Sequence, residues 1–173
     1  MDKNASLSPM PGYIGRVYEK GWLALLLLGV CYFATAFTAA AFALSLIGLA
    51  AGELPRAIGL LTINLVPFIG VTVFRNLVAA PRPSELYDMS PLGEWEPSKK
   101  NRSFPSRHVF SSFVIGSSLC FVQPIVGALV LALGVALGAC RVLLGYHFLR
   151  DVVAGGLIGA ISGVVGMLIV NII

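Results

Sequence analysis

The chain has two histidines, and both lie beside charged residues at the edges of apolar segments. His147 precedes Asp151 by four residues, a spacing that puts two side chains on one face at the start of a helix. The carboxylate can accept the proton of one imidazole nitrogen and leave the other nitrogen free for attack. Asp151 is the only acid after Glu96, and a carboxylate beside an apolar segment is costly unless it is paired. The pair predicts a nucleophilic histidine; the alternative, a helix cap beside Arg150, leaves His147 unexplained.

A second cluster of polar residues, Ser103-Phe104-Pro105-Ser106-Arg107-His108, stands at the start of another apolar segment. Proline suits a first helical turn and serine can cap it, so we expect a helix to begin here. The free amides and the positive end of the helix dipole then form an anion site. His108 would stand beside the bound anion, where it could give a proton to a leaving oxygen.

Arginines accompany both clusters and favour phosphate as the anion. Arg141 lies six residues before His147, and six residues separate Arg75 from Arg82 and Pro83. A guanidinium group donates two parallel hydrogen bonds to a phosphate and stays protonated. For any one of these arginines taken alone, contact with lipid headgroups is the alternative interpretation.

The composition indicates that the segments that position these residues lie in a lipid membrane. Of the 173 residues, 57% are hydrophobic and 12% are charged, with a mean hydropathy of +0.89, whereas soluble domains carry about 25% charged residues. The net charge is +4, but the basic residues stand singly at the ends of apolar segments. This pattern indicates membrane lipids and a phosphate-bearing substrate as partners, and no nucleic acid.

The apolar segments predict an all-α, polytopic membrane bundle that forms one membrane-embedded domain over residues 1–173. A polar loop at 79–104 is long enough to be functional. Gly155, Gly159 and Gly163 follow one another at four-residue steps and predict close helix packing. The three cysteines are interpreted as packing residues. The five predicted spans are about 21–51, 57–77, 104–122, 125–144 and 151–173.

Taken in chain order, the clusters resemble the three signature motifs of the type 2 phosphatidic acid phosphatase family. The first family motif is a basic residue followed, after six residues, by Arg-Pro. The second is Pro-Ser-Gly-His. The third is Ser-Arg, followed after five residues by His and after three more by Asp. This sequence departs from them at Arg75 for lysine, Arg107 for glycine and Cys140 for serine, which concerns substrate preference more than catalysis. The matching residues are Arg75, Arg82 and Pro83; Pro105, Ser106, Arg107 and His108; and Cys140, Arg141, His147 and Asp151.

The resemblance implies a lipid phosphatase that needs no cofactor and no metal. It implies that His147 is the nucleophile, that Asp151 orients it, and that His108 is the general acid. A phosphohistidine intermediate follows. The implied phosphate-binding set is Arg75, Arg82 and Arg141, with Ser106 and Arg107 contributing their amides.

Substrate, topology and membrane side stay open at this point. Members of the family act on phosphatidic acid, phosphatidylglycerol phosphate, undecaprenyl pyrophosphate, and lipid A or sphingoid phosphates. Six spans are the alternative count, through a missing first helix or a break within residues 21–51. The resemblance favours a bacterial cytoplasmic membrane with the site facing outward, although the basic residues would favour the cytoplasmic side.

Two other functions also remain open for this sequence. One is a lipid phosphotransferase that passes the phosphoryl group to an acceptor other than water. The other is a non-catalytic binder or transporter of lipid phosphates on the same fold. The oligomeric state is not indicated by the sequence.

Overall fold

The computed structural model describes residues 10–87, 89, 92 and 102–172, and these residues form helices without any strand. The predicted all-α class is confirmed. Of the 26 residues of the predicted polar loop at 79–104, 12 lie outside the described residues. In chain order the helices are α1 (Gly12–Glu19), α2 (Gly21–Ala50), α3 (Leu54–Val78), α4 (Pro83–Leu86), α5 (Arg107–Leu119), α6 (Pro124–Leu143) and α7 (Leu149–Ile172).

Proline and a left-handed residue set the helix boundaries near the candidate site. A proline occupies the first turn of α3, α4 and α6, where its missing N–H costs no helical hydrogen bond. Helix α3 ends at Ala79, which adopts a φ of 47° and donates its N–H to the carbonyl of Arg75. Pro81 and Pro83 follow at once, so the chain turns away from the α3 axis before α4.

Four helical segments are long and apolar enough to cross a membrane among the described residues: Gly21–Ala50, Leu54–Leu86, Pro124–Leu143 and Leu149–Ile172. The predicted span at 104–122 instead contains α5, whose 13 residues rise about 20 Å, short of the roughly 30 Å hydrocarbon core. The 30-residue helix α2 is unbroken, so the six-span alternative that divides residues 21–51 is wrong.

The bundle exposes its apolar side chains outward, as a lipid solvent requires. Leu44, Leu77 and Ile125 are 70%, 77% and 79% exposed, a level that would be unfavourable for so many large side chains in water. Helix α5 behaves differently, because it buries Val109 and Phe110 and contacts α2, α3, α6 and α7. The short helix is therefore the centre of the bundle, and its first turn carries the residues of the second cluster.

Helix α7 packs on α5 through the predicted glycine face, which confirms the packing role of these glycines. A Cβ atom at Gly155, Gly159 or Gly163 would lie 2.7, 2.5 or 2.6 Å from a backbone carbonyl oxygen of α5 or its N-cap. No side chain fits into this space, so the two backbones meet directly. This contact fixes the start of α7, with Asp151, against the start of α5.

We expect Gly159→Ala to destabilise the protein by about 1–3 kcal/mol, because the methyl group must push α7 away from the Phe110 carbonyl. Gly48→Ala is the matched control, since a Cβ atom at this helical glycine of α2 meets nothing within 4 Å. The control variant should be as stable as wild type or slightly more stable. Thermal unfolding midpoints in one detergent compare the two, and equal midpoints would contradict the tight α5–α7 contact.

Candidate active site

A buried triad of Ser103, His147 and Asp151 forms the centre of the candidate site. The Nδ1 atom of His147 lies 3.6 Å from Oδ2 of Asp151 and 3.3 Å from Oγ of Ser103. Ser103 Oγ donates a hydrogen bond to the same carboxylate oxygen. The side chains of His147 and Asp151 are 3% and 0% exposed. Because Nδ1 faces the carboxylate, Nε2 is the imidazole nitrogen available to a substrate.

The His147–Asp151 contact does not come from a shared helical face. His147 lies in the bend before α7, whose first residue is Leu149, so the expected helical geometry is wrong in detail. The N–H of His147 donates to the carbonyl of Arg141 at 3.3 Å, which folds the bend back over α6. Asp151 also accepts the N–H of Phe148 at 3.0 Å. The same carboxylate therefore caps the start of α7 and faces His147.

Burial keeps the His147 imidazole neutral. Loss of hydration, opposed by the interaction with Asp151 and aided by the positive charges of nearby arginines, lowers the pKa of His147 to about 4. These arginines are Arg141, Arg82 and Arg75. At neutral pH the ring is therefore uncharged and has a lone pair on Nε2. A histidine in this state can attack an electrophile.

The segment that precedes α5 is held in place from both sides. Ser103 donates its N–H to the carbonyl of Ala80, and Ser106 donates its N–H to the carbonyl of Asp151, both at 2.9 Å. Arg75 donates from Nη1 to the carbonyl of Pro105 at 2.6 Å and from Nη2 to the carbonyl of Arg102. The buried guanidinium of Arg75 thus positions the loop, in addition to any contact with a ligand.

Two buried donors at the site have no hydrogen-bond partner among the described residues: Oγ of Ser106 and Nε of Arg141. Ser106 is the N-cap of α5 and its side chain makes no capping hydrogen bond. The Arg141 guanidinium lies over the ring of Tyr146, 5.0 Å from its centroid, a cation–π contact that holds it beside the bend. Unpaired buried donors are costly, so their presence here fits an anionic ligand.

The remaining predicted residues surround the same region. Arg82 is buried at the N-cap of α4, and its charge is among those that act on His147. His108 lies within electrostatic reach of Arg141 and His147, with its side chain exposed on α5, and it lines a cavity beside Arg107. All eight predicted site residues therefore gather where α3, α5, α6 and α7 meet. Near this junction positive charge exceeds negative charge.

Ser103 and Tyr146 are the residues that the sequence-based site prediction omitted. Ser103 joins the triad, and Tyr146 supports Arg141 and donates its hydroxyl hydrogen to the carbonyl of Leu92. The position of Ser103 at the edge of the Pro105–His108 motif was a signal, because a hydroxyl there could reach a neighbouring acid. Its partner was not evident from spacing, since 48 positions separate it from Asp151.

Comparison with known proteins gives a family match and two similar folds. The family model described as "PAP2 superfamily" matches residues 56–172. A transmembrane PAP2 type phosphatidylglycerolphosphate phosphatase from Bacillus subtilis superposes with a TM-score of 0.69 at 21% identity, covering 88% of this chain and 78% of that chain. LpxE from Aquifex aeolicus gives a TM-score of 0.61 at 22% identity, covering 85% and 86%. No curated protein matches the sequence.

These likenesses establish a shared fold with both solved structures. The matched residues 56–172 include all three motifs and four of the helices that form the bundle core. Together with the apolar helices, the likeness to a transmembrane protein makes the chain an integral, multi-pass membrane protein.

Proposed function

Because the chain belongs to the PAP2 superfamily, as its motifs predicted, we propose that it hydrolyses a lipid phosphate or lipid diphosphate through a phosphohistidine intermediate. The observation that carries this proposal is the buried triad of Ser103, His147 and Asp151 beneath a cluster of arginines. A neutral imidazole beside a carboxylate supplies a nucleophile. The arginines supply a site for the phosphoryl group.

In the first step, Nε2 of His147 attacks the phosphorus atom and forms a P–N bond as the bond to the leaving oxygen breaks. Loss of hydration, and then the charges of Arg141 and His147, lower the pKa of His108 to about 2, so this imidazole is neutral until the anionic substrate binds and offsets those charges. His108 then takes up a proton and gives it to that oxygen, so the leaving group departs as a neutral alcohol or as a protonated phosphate. The proton on Nδ1 faces the carboxylate of Asp151, which stabilises the imidazolium that develops. His108 and His147 are close enough for their charges to interact.

In the second step, water attacks the phosphorus atom of phosphohistidine and the P–N bond breaks. His108, now neutral, accepts a proton from the water, and inorganic phosphate leaves. His147 returns to its neutral form with Nε2 free. The site ends as it began, so no oxidant, acceptor or cofactor is consumed.

The transferred phosphoryl group carries its charge on three oxygens, and catalysis then depends on donors that are fixed in advance. Arg82 and Arg141 form such a set around His147. The amide of Arg107 and the hydroxyl of Ser106 add to it, whereas the predicted Ser106 amide does not, because that N–H donates to the carbonyl of Asp151. Arg75 contributes its charge and holds the loop that presents these donors. Removing one positioned donor of this kind typically lowers the rate by about two to three orders of magnitude.

A lipid substrate fits the placement of this site. The triad stands at the ends of apolar helices, where an interfacial phosphate can enter while its tail stays among lipids. The similarity to a phosphatidylglycerolphosphate phosphatase supports a phospholipid headgroup of this type. We also propose that the protein resides in a bacterial cytoplasmic membrane with the site facing outward, following the family resemblance.

The test is phosphate release by purified protein in detergent, without divalent metal and with a chelator present. The substrates are phosphatidic acid, phosphatidylglycerol phosphate and undecaprenyl pyrophosphate. We expect free phosphate from at least one of them without any added acceptor, which also excludes a strict phosphotransferase. Binding of these lipids without any phosphate release would contradict the proposal and favour the non-catalytic binder.

A further inference from the structure

A cavity of about 270 Å³ opens beside His108, between α2, α3 and α5. Its wall is only partly apolar, although it lies within the bundle. Thr38 on α2 and Ser112 on α5 place hydroxyl groups along it, Phe68 closes one side, and Arg107 and His108 stand at one end. A cavity that served only as a packing defect would be apolar throughout.

Thr38 is the unusual residue of this cavity. A threonine inside an apolar helix normally donates its hydroxyl hydrogen to the carbonyl four residues earlier. Thr35, one turn before Thr38 and on the same cavity wall, does this to Cys31 at 2.8 Å, and Thr62 and Thr72 of α3 form equivalent bonds at 2.8 Å. Thr38 is 5% exposed, and its Oγ1 has no hydrogen-bond partner among the described residues. Its donor is therefore available to a ligand in the cavity.

Arg107 gives the cavity its charge. The side chain is half-buried, and no acid among the described residues forms an ion pair with it. The cavity wall itself contains no carboxylate. A cation and a free hydroxyl donor, without a neighbouring acid, select an anion rather than a sugar or a cation.

We infer that this cavity is a binding site for a second phosphate group of the substrate, carried by the leaving group. The inference rests on the proposed function, in which His108 protonates the leaving oxygen. Since His108 forms part of the cavity wall, whatever is bonded to that oxygen enters the cavity. Arg107 and Thr38 then bind the leaving group's own phosphate, whereas the transferred phosphoryl group stays with Arg82, Arg141 and the α5 amides.

Two lipid classes carry such a second phosphate. In a lipid diphosphate it is bonded directly to the leaving oxygen, and in phosphatidylglycerol phosphate it is a phosphodiester on the far side of a glycerol unit. Phosphatidic acid and prenyl monophosphates lack it. The protein should therefore prefer substrates with two phosphates, and the preference should depend on Thr38.

The experiment measures kcat/KM for two matched substrate pairs. One pair is farnesyl diphosphate and farnesyl monophosphate, and the other is dioleoyl phosphatidylglycerol phosphate and dioleoyl phosphatidic acid. Thr38→Val keeps the shape of the side chain and removes the donor. We expect it to lower the two-phosphate to one-phosphate ratio of kcat/KM by about 10- to 100-fold, the effect of losing a hydrogen bond to a charged group.

Thr62→Val is the matched control. Its hydroxyl is already bonded within α3 and it does not line the cavity, so the ratio should stay within about threefold of wild type. Arg107→Gln is a second test that keeps the α5 amides, and it should lower the same ratio.

If the two-phosphate to one-phosphate ratio of kcat/KM falls only for the farnesyl pair or only for the glycerol pair, that pair identifies which second phosphate is bound. Unchanged ratios in both pairs, with wild type active, would overturn this inference alone. Absence of phosphate release by wild type would overturn the proposed function as well.

Discussion

Replacing His147 with alanine should leave no measurable phosphate release, a loss of at least about 10⁴-fold in kcat. The variant keeps Asp151, Ser103 and the arginines, so substrate still binds. What it lacks is the imidazole nitrogen that we propose forms the P–N bond. Water would have to attack the phosphorus atom of the substrate directly, without a general base positioned to accept its proton. The measurement is initial rate under saturating substrate, beside wild type in the same detergent.

A folding control separates lost chemistry from lost structure. His147 is 3% exposed, so the alanine substitution creates a small cavity. The backbone hydrogen bond that holds the bend before α7 remains possible, because it comes from the N–H of residue 147. The variant should elute as wild type does on size exclusion and should bind substrate lipid with similar affinity. Phosphate release at more than a few per cent of the wild-type rate by folded His147→Ala would show that another residue is the nucleophile.

Asp151→Asn should lower kcat by about 10³- to 10⁴-fold. The asparagine side chain has the same shape but no charge, so it cannot stabilise the imidazolium that develops on His147. The position of Oδ2, which accepts the N–H of Phe148 and also faces His147, holds either the amide oxygen or the amide nitrogen of asparagine. With nitrogen there, the amide donates to Nδ1 of His147 and favours the tautomer with hydrogen on Nε2. That tautomer has no lone pair directed at the substrate. Steady-state kinetics with the best lipid of the panel measures the loss.

Arg150→Gln is the matched control for Asp151. The Arg150 Nε atom lies 3.5 Å from Oδ1 of Asp151, but its side chain is 67% exposed, and such an ion pair contributes little. This variant should retain kcat within about threefold of wild type. Equal losses in Asp151→Asn and Arg150→Gln would mean that Asp151 acts through local structure, as a helix cap, and does not orient the nucleophile.

The sequence predicted most of the helices because a bilayer solvent leaves long apolar segments that are easy to recognise. Spans at 21–51, 57–77, 125–144 and 151–173 correspond to α2, α3, α6 and α7 within a few residues. The short length of α5 was not evident, because the apolar residues around it continue into a turn before Pro124. Burial at the centre of the bundle also selects apolar residues, so hydropathy alone does not give the length of a buried helix.

The site residues were recognisable because their types and spacings are unusual in an apolar chain. His147 with Asp151, and the segment before His108, stood out for this reason. Ser103 and Thr38 did not, because serines and threonines are common in membrane helices and normally bond to their own backbone. Only the folded structure places Ser103 on Asp151 and leaves Thr38 without that bond. Tertiary contacts between distant segments decide both roles.

Trapping of the phosphorylated intermediate tests directly whether His147 is the nucleophile. Wild-type protein is quenched with alkali during turnover of its best substrate, and the peptide containing His147 is examined by mass spectrometry, since a phosphohistidine survives base and is lost in acid. We expect one acid-labile phosphoryl group on His147, absent from His147→Ala. A phosphoryl group on another residue, or none on His147 at any time during rapid turnover, would contradict the assignment of His147 as nucleophile.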